Sequence, residues 1–192
     1  NETQAKSNTQ SKDFEMTIQH IMLDLETMGT GPNAAITAIG AVKFDPDKGE
    51  IVDTFYFKVN LESSVKCGGV IDASTIIWWL GQNEEARAEM QKKGGHILDG
   101  LYEFKGQIGA DARIWGNGAA FDNVILRRAY ERAQIIAPWD FWNDRCYRTV
   151  KTMFKQTPTV EKPTVAHHAL ADAEAQAKHL MLIAKTHGLI LT

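Results

Sequence analysis

Cysteine is scarce in this sequence. Cys67 and Cys146 are the only two among 192 residues, too few for a disulfide framework. Neither belongs to a Cys-x-x-Cys motif, and both read as structural. No apolar run approaches the roughly 20 residues that a membrane-spanning helix needs. No basic-then-apolar leader opens the sequence. The first residue is Asn rather than Met, so the start reads as processed, and a cytoplasmic protein without membrane association is expected. An excess of one charge is also missing. Lys and Arg total 21 against 24 Asp and Glu, a net charge of -3. That excludes a polycationic tail protein. It does not exclude a nucleic-acid enzyme, whose catalytic carboxylates enter the same sum. Several motifs are absent as well: a Gly-rich dinucleotide loop, a phosphate loop, His-Glu-x-x-His and Gly-x-Ser-x-Gly.

The charge that is present is unevenly spread. Residues 1–112 carry 10 basic and 17 acidic side chains, whereas residues 113–155 carry 8 basic and 4 acidic. The basic block contains Arg113, Arg127, Arg128, Arg132, Arg145, Arg148, Lys151 and Lys155. Such a block either holds a polyanion through bidentate guanidinium contacts or forms a solvated helix face.

Patterning divides the chain into a polar N-terminal arm, residues 1–17, and one domain over 18–192. The run Ile21-Met22-Leu23-Asp24-Leu25 predicts a buried strand. Strands over 35–44 and 51–59 follow, joined by the turn-forming Asp45-Pro46-Asp47-Lys48-Gly49. Helices are predicted over 74–80, 84–92, 97–108, 122–133, 146–154 and 168–187, with Gly188 as the last stop. A short strand is expected at 113–115. The order predicts an α/β fold: a mixed central sheet whose first three strands are antiparallel, flanked by helices.

Carboxylates stand where carboxylates are costly. Asp24 and Glu26 close an apolar strand and, two residues apart, point to one side. Like charges so placed repel, and a divalent cation turns the repulsion into ligation. The alternative is that they face solvent or cap a helix. Asp122 follows the short strand at a helix start, where it either caps the helix or joins them. Asp172 lies in the Ala-rich last helix, and pattern alone leaves its direction open. Four carboxylates from three elements supply the hard oxygen donors that suit Mg²⁺ or Mn²⁺.

The order of these segments resembles a known superfamily. Ile21-Met22-Leu23-Asp24-Leu25-Glu26-Thr27 is similar to the first motif of the DEDD 3′-to-5′ exonucleases. Asn117-Gly118-Ala119-Ala120-Phe121-Asp122-Asn123 with Leu126 resembles the second, and His167-His168-Ala169-Leu170-Ala171-Asp172 the third in its histidine-containing, DEDDh form. Met28-Gly29-Thr30-Gly31-Pro32 and Trp78-Trp79 narrow the resemblance to the compact family that contains a phage exonuclease and a mycobacterial exoribonuclease.

The resemblance implies a ribonuclease H-like fold. It also implies two-metal hydrolysis of phosphodiester bonds at the 3′ end of a single strand, releasing nucleoside 5′-monophosphates. Asp24, Glu26, Asp122 and Asp172 would hold two Mg²⁺ or Mn²⁺ ions, with His167 as general base. His168 competes for that role, because on a helix it shares a face with Asp172, four residues on. The conflict disappears if His167 lies on a loop before the helix begins. His20, His96, His179 and His187 are expected to be structural or exposed.

Thr27, Met28, Trp78, Trp79, Phe121, Arg145 and Arg148 are the candidates for substrate contact, and core packing explains the aromatic ones equally well. Arg145 and Arg148 share a side if 144–154 is helical. DNA is slightly favoured over RNA, and a homodimer is an expectation of the resemblance. The alternatives are an exoribonuclease or oligoribonuclease-like enzyme, an internally cutting nuclease, a polymerase-associated proofreader and a catalytically silent nucleic-acid-binding module.

Overall fold

A computed structural model of the chain describes residues 19–160 and 167–192. The expected arm, 1–17, lies outside the described residues, as does Pro163 in the loop expected before the last helix.

The fold is organised around β1 (His20–Thr27). Its apolar residues, Ile21, Met22, Leu23 and Leu25, fall on both faces because the strand is covered on both sides. Ile21, Leu23 and Leu25 face one cluster with Leu101, Phe104, Ile125, Leu126 and Tyr130. Met22 faces the other, with Val42, Phe44, Trp115, Ala173, Ala177 and Leu180. With a period of two, Asp24 and Glu26 fall on the Met22 side.

On one flank β1 pairs antiparallel with β2 (Ile36–Asp45), and β2 pairs with β3 (Glu50–Lys58). On the other it pairs in parallel with β4 (Arg113–Gly116), followed by β5 (Asp144–Cys146). The sheet order is β3-β2-β1-β4-β5, with the first three strands antiparallel as expected. Between β3 and β4 the chain forms α1 (Leu61–Lys66), α2 (Ala73–Leu80), α3 (Glu84–Gln91) and α4 (Ile97–Gln107). Then come α5 (Asp122–Arg132), α6 (Tyr147–Met153) and α7 (Ala169–His187).

Two elements differ from the sequence expectation. α1 was not foreseen. It is a six-residue helix whose N-cap, Asn60, accepts from the Ser63 amide, and a segment this short carries too little periodicity to register. The expected helix from Cys146 begins one residue later, and Asp144–Cys146 is instead the outermost parallel strand. Arg145 therefore stands on a strand and Arg148 on a helix, so the shared helical side expected for them does not exist.

α7 settles closely on the sheet. Ala169, Ala173 and Ala177, spaced by four, form its fully buried stripe, while Ala171 and Ala175 turn away. Gly40 on β2 pairs directly with Asp24 across the ladder. A Cβ at Gly40 would collide with the main chain of Ala169 and Leu170. The missing side chain lets the first turn of α7 rest on β2 beside Asp24. α7 ends at Gly188, whose left-handed backbone (φ 63°) forms the C-cap. No helix among the described residues is long and apolar enough to cross a membrane.

This packing separates two glycines by outcome. Gly40→Ala should lower stability by at least the roughly 1–3 kcal/mol typical of overpacking. Gly106→Ala, in α4 with nothing within 4 Å of the added methyl, should be neutral or stabilising by up to about 1 kcal/mol. Urea unfolding of both variants reads the difference.

Candidate active site

Three carboxylates converge at the C-terminal end of β1. Asp24 and Glu26 point up from the sheet, and Asp172 comes down from the first turn of α7. One oxygen from each can be chosen so that all lie within 4.8 Å of one another. The direction of Asp172, open from pattern alone, is set by the alanine stripe that turns α7.

Asp122 approaches from another side, at the start of α5. Past the end of its pairing with β4, β1 has an amide left over at Leu25, and it donates to Asp122 Oδ1 at 3.2 Å. Asp122 is 3% exposed and stands outside the three-carboxylate group, yet close enough to act on the charge of Asp24 and Glu26.

Enclosing so many acids raises their proton affinity. Burial is the main cause at Asp24, reinforced by the charges of Asp122, Glu26 and Asp172, and its pKa stands well above the ordinary range. Burial and then Asp172 push Glu26 up to about 8, with Lys58 opposing. Burial takes Asp122 to about 7 against the pull of backbone donors and of Arg148. Burial also raises Asp172, opposed first by His167. A set of hard oxygen donors that repel one another in this way fits a divalent cation.

The two adjacent histidines have different surroundings. His168 is the N-cap of α7, and its Nδ1 accepts from the Ala171 amide at 3.4 Å. Its ring stacks on Tyr56 at 4.6 Å, and Tyr56 in turn donates its hydroxyl to Glu89 at 2.8 Å. His167 precedes the cap with a left-handed backbone, φ 59°. Its ring meets Trp78 edge-on at 4.9 Å and Trp79 at 5.9 Å.

Those tryptophans line a cleft of about 440 Å³ that Glu26 also borders. Leu25, Thr27, Thr30, Thr75 and Phe121 complete much of its wall. Trp79 is packed, and its indole N–H donates to the Thr27 carbonyl at 3.0 Å. Trp78 remains 47% exposed.

Of the other substrate-side candidates, Met28 does not line the cleft but packs with Ala35, Trp79 and Ala86. Arg145 donates to the main-chain carbonyls of Thr192, Trp142 and Asp144 and is occupied with holding the C-terminus to β5. The Arg148 guanidinium lies against Gly118, in the loop before Asp122. His20 and His179 are buried with Trp115 and Tyr147 as partners. His96 caps α4, and His187 meets Thr157. Cys67 and Cys146 are unpaired.

Gln176 escaped the sequence reading. It donates Nε2 to Asp24 Oδ1 at 2.7 Å. Its spacing, four residues after Asp172, was the available signal.

The raised carboxylates predict a pH response of the metal-free protein. Each group has a higher pKa folded than unfolded, so the folded state binds more protons between roughly pH 4 and 8. Its favourable contribution is complete below the ordinary carboxylate range and is lost as pH rises through the folded values. In EDTA the melting temperature should therefore fall between pH 5 and pH 8.5. Asp24→Asn should flatten that fall, and thermal melts across the range measure both.

Comparison with known proteins agrees with this geometry. Residues 19–184 match the 3′-5′ exoribonuclease Rv2179c-like domain. An exodeoxyribonuclease of Enterobacteria phage T4 is 31% identical over 157 residues, covering 67% of this chain and 68% of the phage protein. The structure of E. coli exonuclease I with a dT13 oligonucleotide superposes with a TM-score of 0.64 at 16% identity, over 89% of this chain and 42% of that one. Its zinc-bound complex with single-stranded DNA gives 0.64 and 16%, over 89% and 41%. At that identity the likeness is one of fold, and this chain spans only about two fifths of exonuclease I. With its motifs in order along a ribonuclease H-like sheet, the chain belongs to the 3′-5′ exoribonuclease Rv2179c-like family of DEDDh exonucleases.

Proposed function

We propose that this chain is a metal-dependent 3′-5′ exonuclease that removes nucleoside 5′-monophosphates from the 3′ end of a single strand. The observation that carries the reading is the juxtaposition of Asp24, Glu26 and Asp172 with a cleft lined by Trp78. A phosphate needs the first and a terminal nucleoside the second.

Asp24, Glu26 and Asp172 would hold Mg²⁺ or Mn²⁺, with Asp122 completing the donors for a second ion. Bound there, such ions neutralise the phosphate and acidify water. His167 sets its ring against Trp78 and Trp79, which line the cleft, while His168 is engaged by Tyr56 and the helix cap. This supports His167 as the group whose imidazole nitrogen takes the proton of the attacking water. Trp78, half exposed, is suited to stack on the terminal base, with Trp79 behind it as support. Phe121 and Thr27 wall the same cleft. Arg148, which already acts on the charge of Asp122, is the guanidinium best placed to meet a phosphate. Met28 contributes by holding Trp79 rather than by touching substrate, and Arg145 by holding β5.

DNA is favoured slightly over RNA, on the likeness to a phage exodeoxyribonuclease. The family's description as an exoribonuclease domain supports the second reading. A cytoplasmic setting fits the two unpaired cysteines, and family likeness favours a homodimer, which sedimentation would read.

The test is stepwise release of mononucleotides from 5′-labelled single-stranded DNA and RNA of one sequence. EDTA should abolish it, and Mg²⁺ or Mn²⁺ should restore it. Asp24→Asn should lower the rate by orders of magnitude with the fold intact; an unchanged rate would refute the carboxylate assignment. His167→Ala should cost roughly 10²–10⁴-fold. His168→Ala should chiefly lower the melting temperature. The reverse ranking would make His168 the base.

A further inference from the structure

Gln176 stands in the site without a role in the chemistry above. It lies one turn after Asp172, so the two side chains leave α7 on the same side. Its amide nitrogen meets Asp24 Oδ1 at 2.7 Å, a link between residues 152 apart in sequence. Asp24 is buried and stands beside three other carboxylates, Asp122, Glu26 and Asp172. The hydrogen bond from the Gln176 side chain opposes the effect of that burial and charge on Asp24.

We infer that Gln176 is a positioning residue for the metal centre: its neutral amide holds one oxygen of Asp24 and leaves the other turned toward Glu26 and Asp172. The inference rests on the acidic group being a metal site. Neutrality is the essential property. A lysine would also hold Asp24, but its charge would take the place of the cation, whereas an amide orients the carboxylate without cancelling its charge. A second observation points the same way. Gln176 Oε1 is enclosed and accepts no hydrogen bond among the described residues. An enclosed acceptor needs a donor, and the water carried by a hydrated divalent ion is one. Both ends of the amide would then serve the centre, in the way that partners of metal ligands commonly orient them.

Mn²⁺ binding to the full chain at pH 8, followed by the loss of the free-ion electron paramagnetic resonance signal, tests this apart from turnover. Gln176→Met keeps the length and removes the donor. Its Mn²⁺ affinity should fall roughly 10- to 100-fold. At saturating Mn²⁺ the loss should lie in kcat, with KM for the oligonucleotide unchanged. Parental affinity and kcat in this variant would overturn the inference.

Gln176→Glu separates positioning from packing by sign. If Gln176 only fills space, an added carboxylate strengthens Mn²⁺ binding; if its donor is what matters, binding weakens. That variant decides the question if the Met variant does not fold. Asp24→Asn is the reference. Loss of Mn²⁺ binding there with parental binding in Gln176→Met refutes the role of Gln176 alone. Retained binding in Asp24→Asn refutes the metal site and this inference with it.

Discussion

The site depends on one close approach, that of the α7 backbone to Gly40. Gly40 is the ladder partner of Asp24 and has no side chain to hold the helix away. The buried alanines at 169, 173 and 177 continue the same contact along the sheet. If the helix were lifted by the width of a methyl group, Asp172 would withdraw from Asp24 and Glu26. Acids at such spacing repel, so they cannot bring themselves together. Backbone proximity and apolar burial on the far turns of α7 must supply that energy. The site is held together by packing against its own electrostatics.

Much of this was legible in the residues. An apolar run ending in Asp24 and Glu26 marks a central strand carrying charge, and period two puts both acids on one side. The antiparallel pairing of the first three strands and the long last helix followed from patterning. The sequence did not reveal which face of α7 meets the sheet. Alanines at five alternate positions, 169 to 177, obscure a stripe that only three of them form. Nor did it reveal that Gly40 is a contact, because a missing side chain leaves no periodic signal. Arg145 shows another limit. Three residues are too few to distinguish a strand from the first turn of a helix, and the error displaced one arginine of a supposed pair.

The two histidines show how context divides identical chemistry. Counting helical positions favours His168 as the partner of Asp172. The helix begins only at Ala169, however, and His168 becomes its cap, held by Tyr56 on β3. His167 is left outside the helical register in a left-handed conformation, its ring against Trp78 and Trp79. Strain of this kind persists only where the surroundings hold it. Here they are an anchored neighbour on one side and an aromatic wall on the other. One wall of the cleft is thus charged and the other apolar, matching the two halves of a nucleotide.

Asp24 and Gln176, in hydrogen-bond contact, lie 152 residues apart. The separation matters during synthesis, which proceeds from the N-terminus. β1, β2 and β3 can pair early because their connections are short. Until residue 176 has emerged and α7 has docked, the acids of β1 lack both Asp172 and the amide that orients Asp24. Such long-range closure is among the slowest steps of folding. A nascent or partly opened chain therefore displays the first exonuclease motif without the assembled carboxylate cluster. Any nuclease activity arrives only with the completed fold.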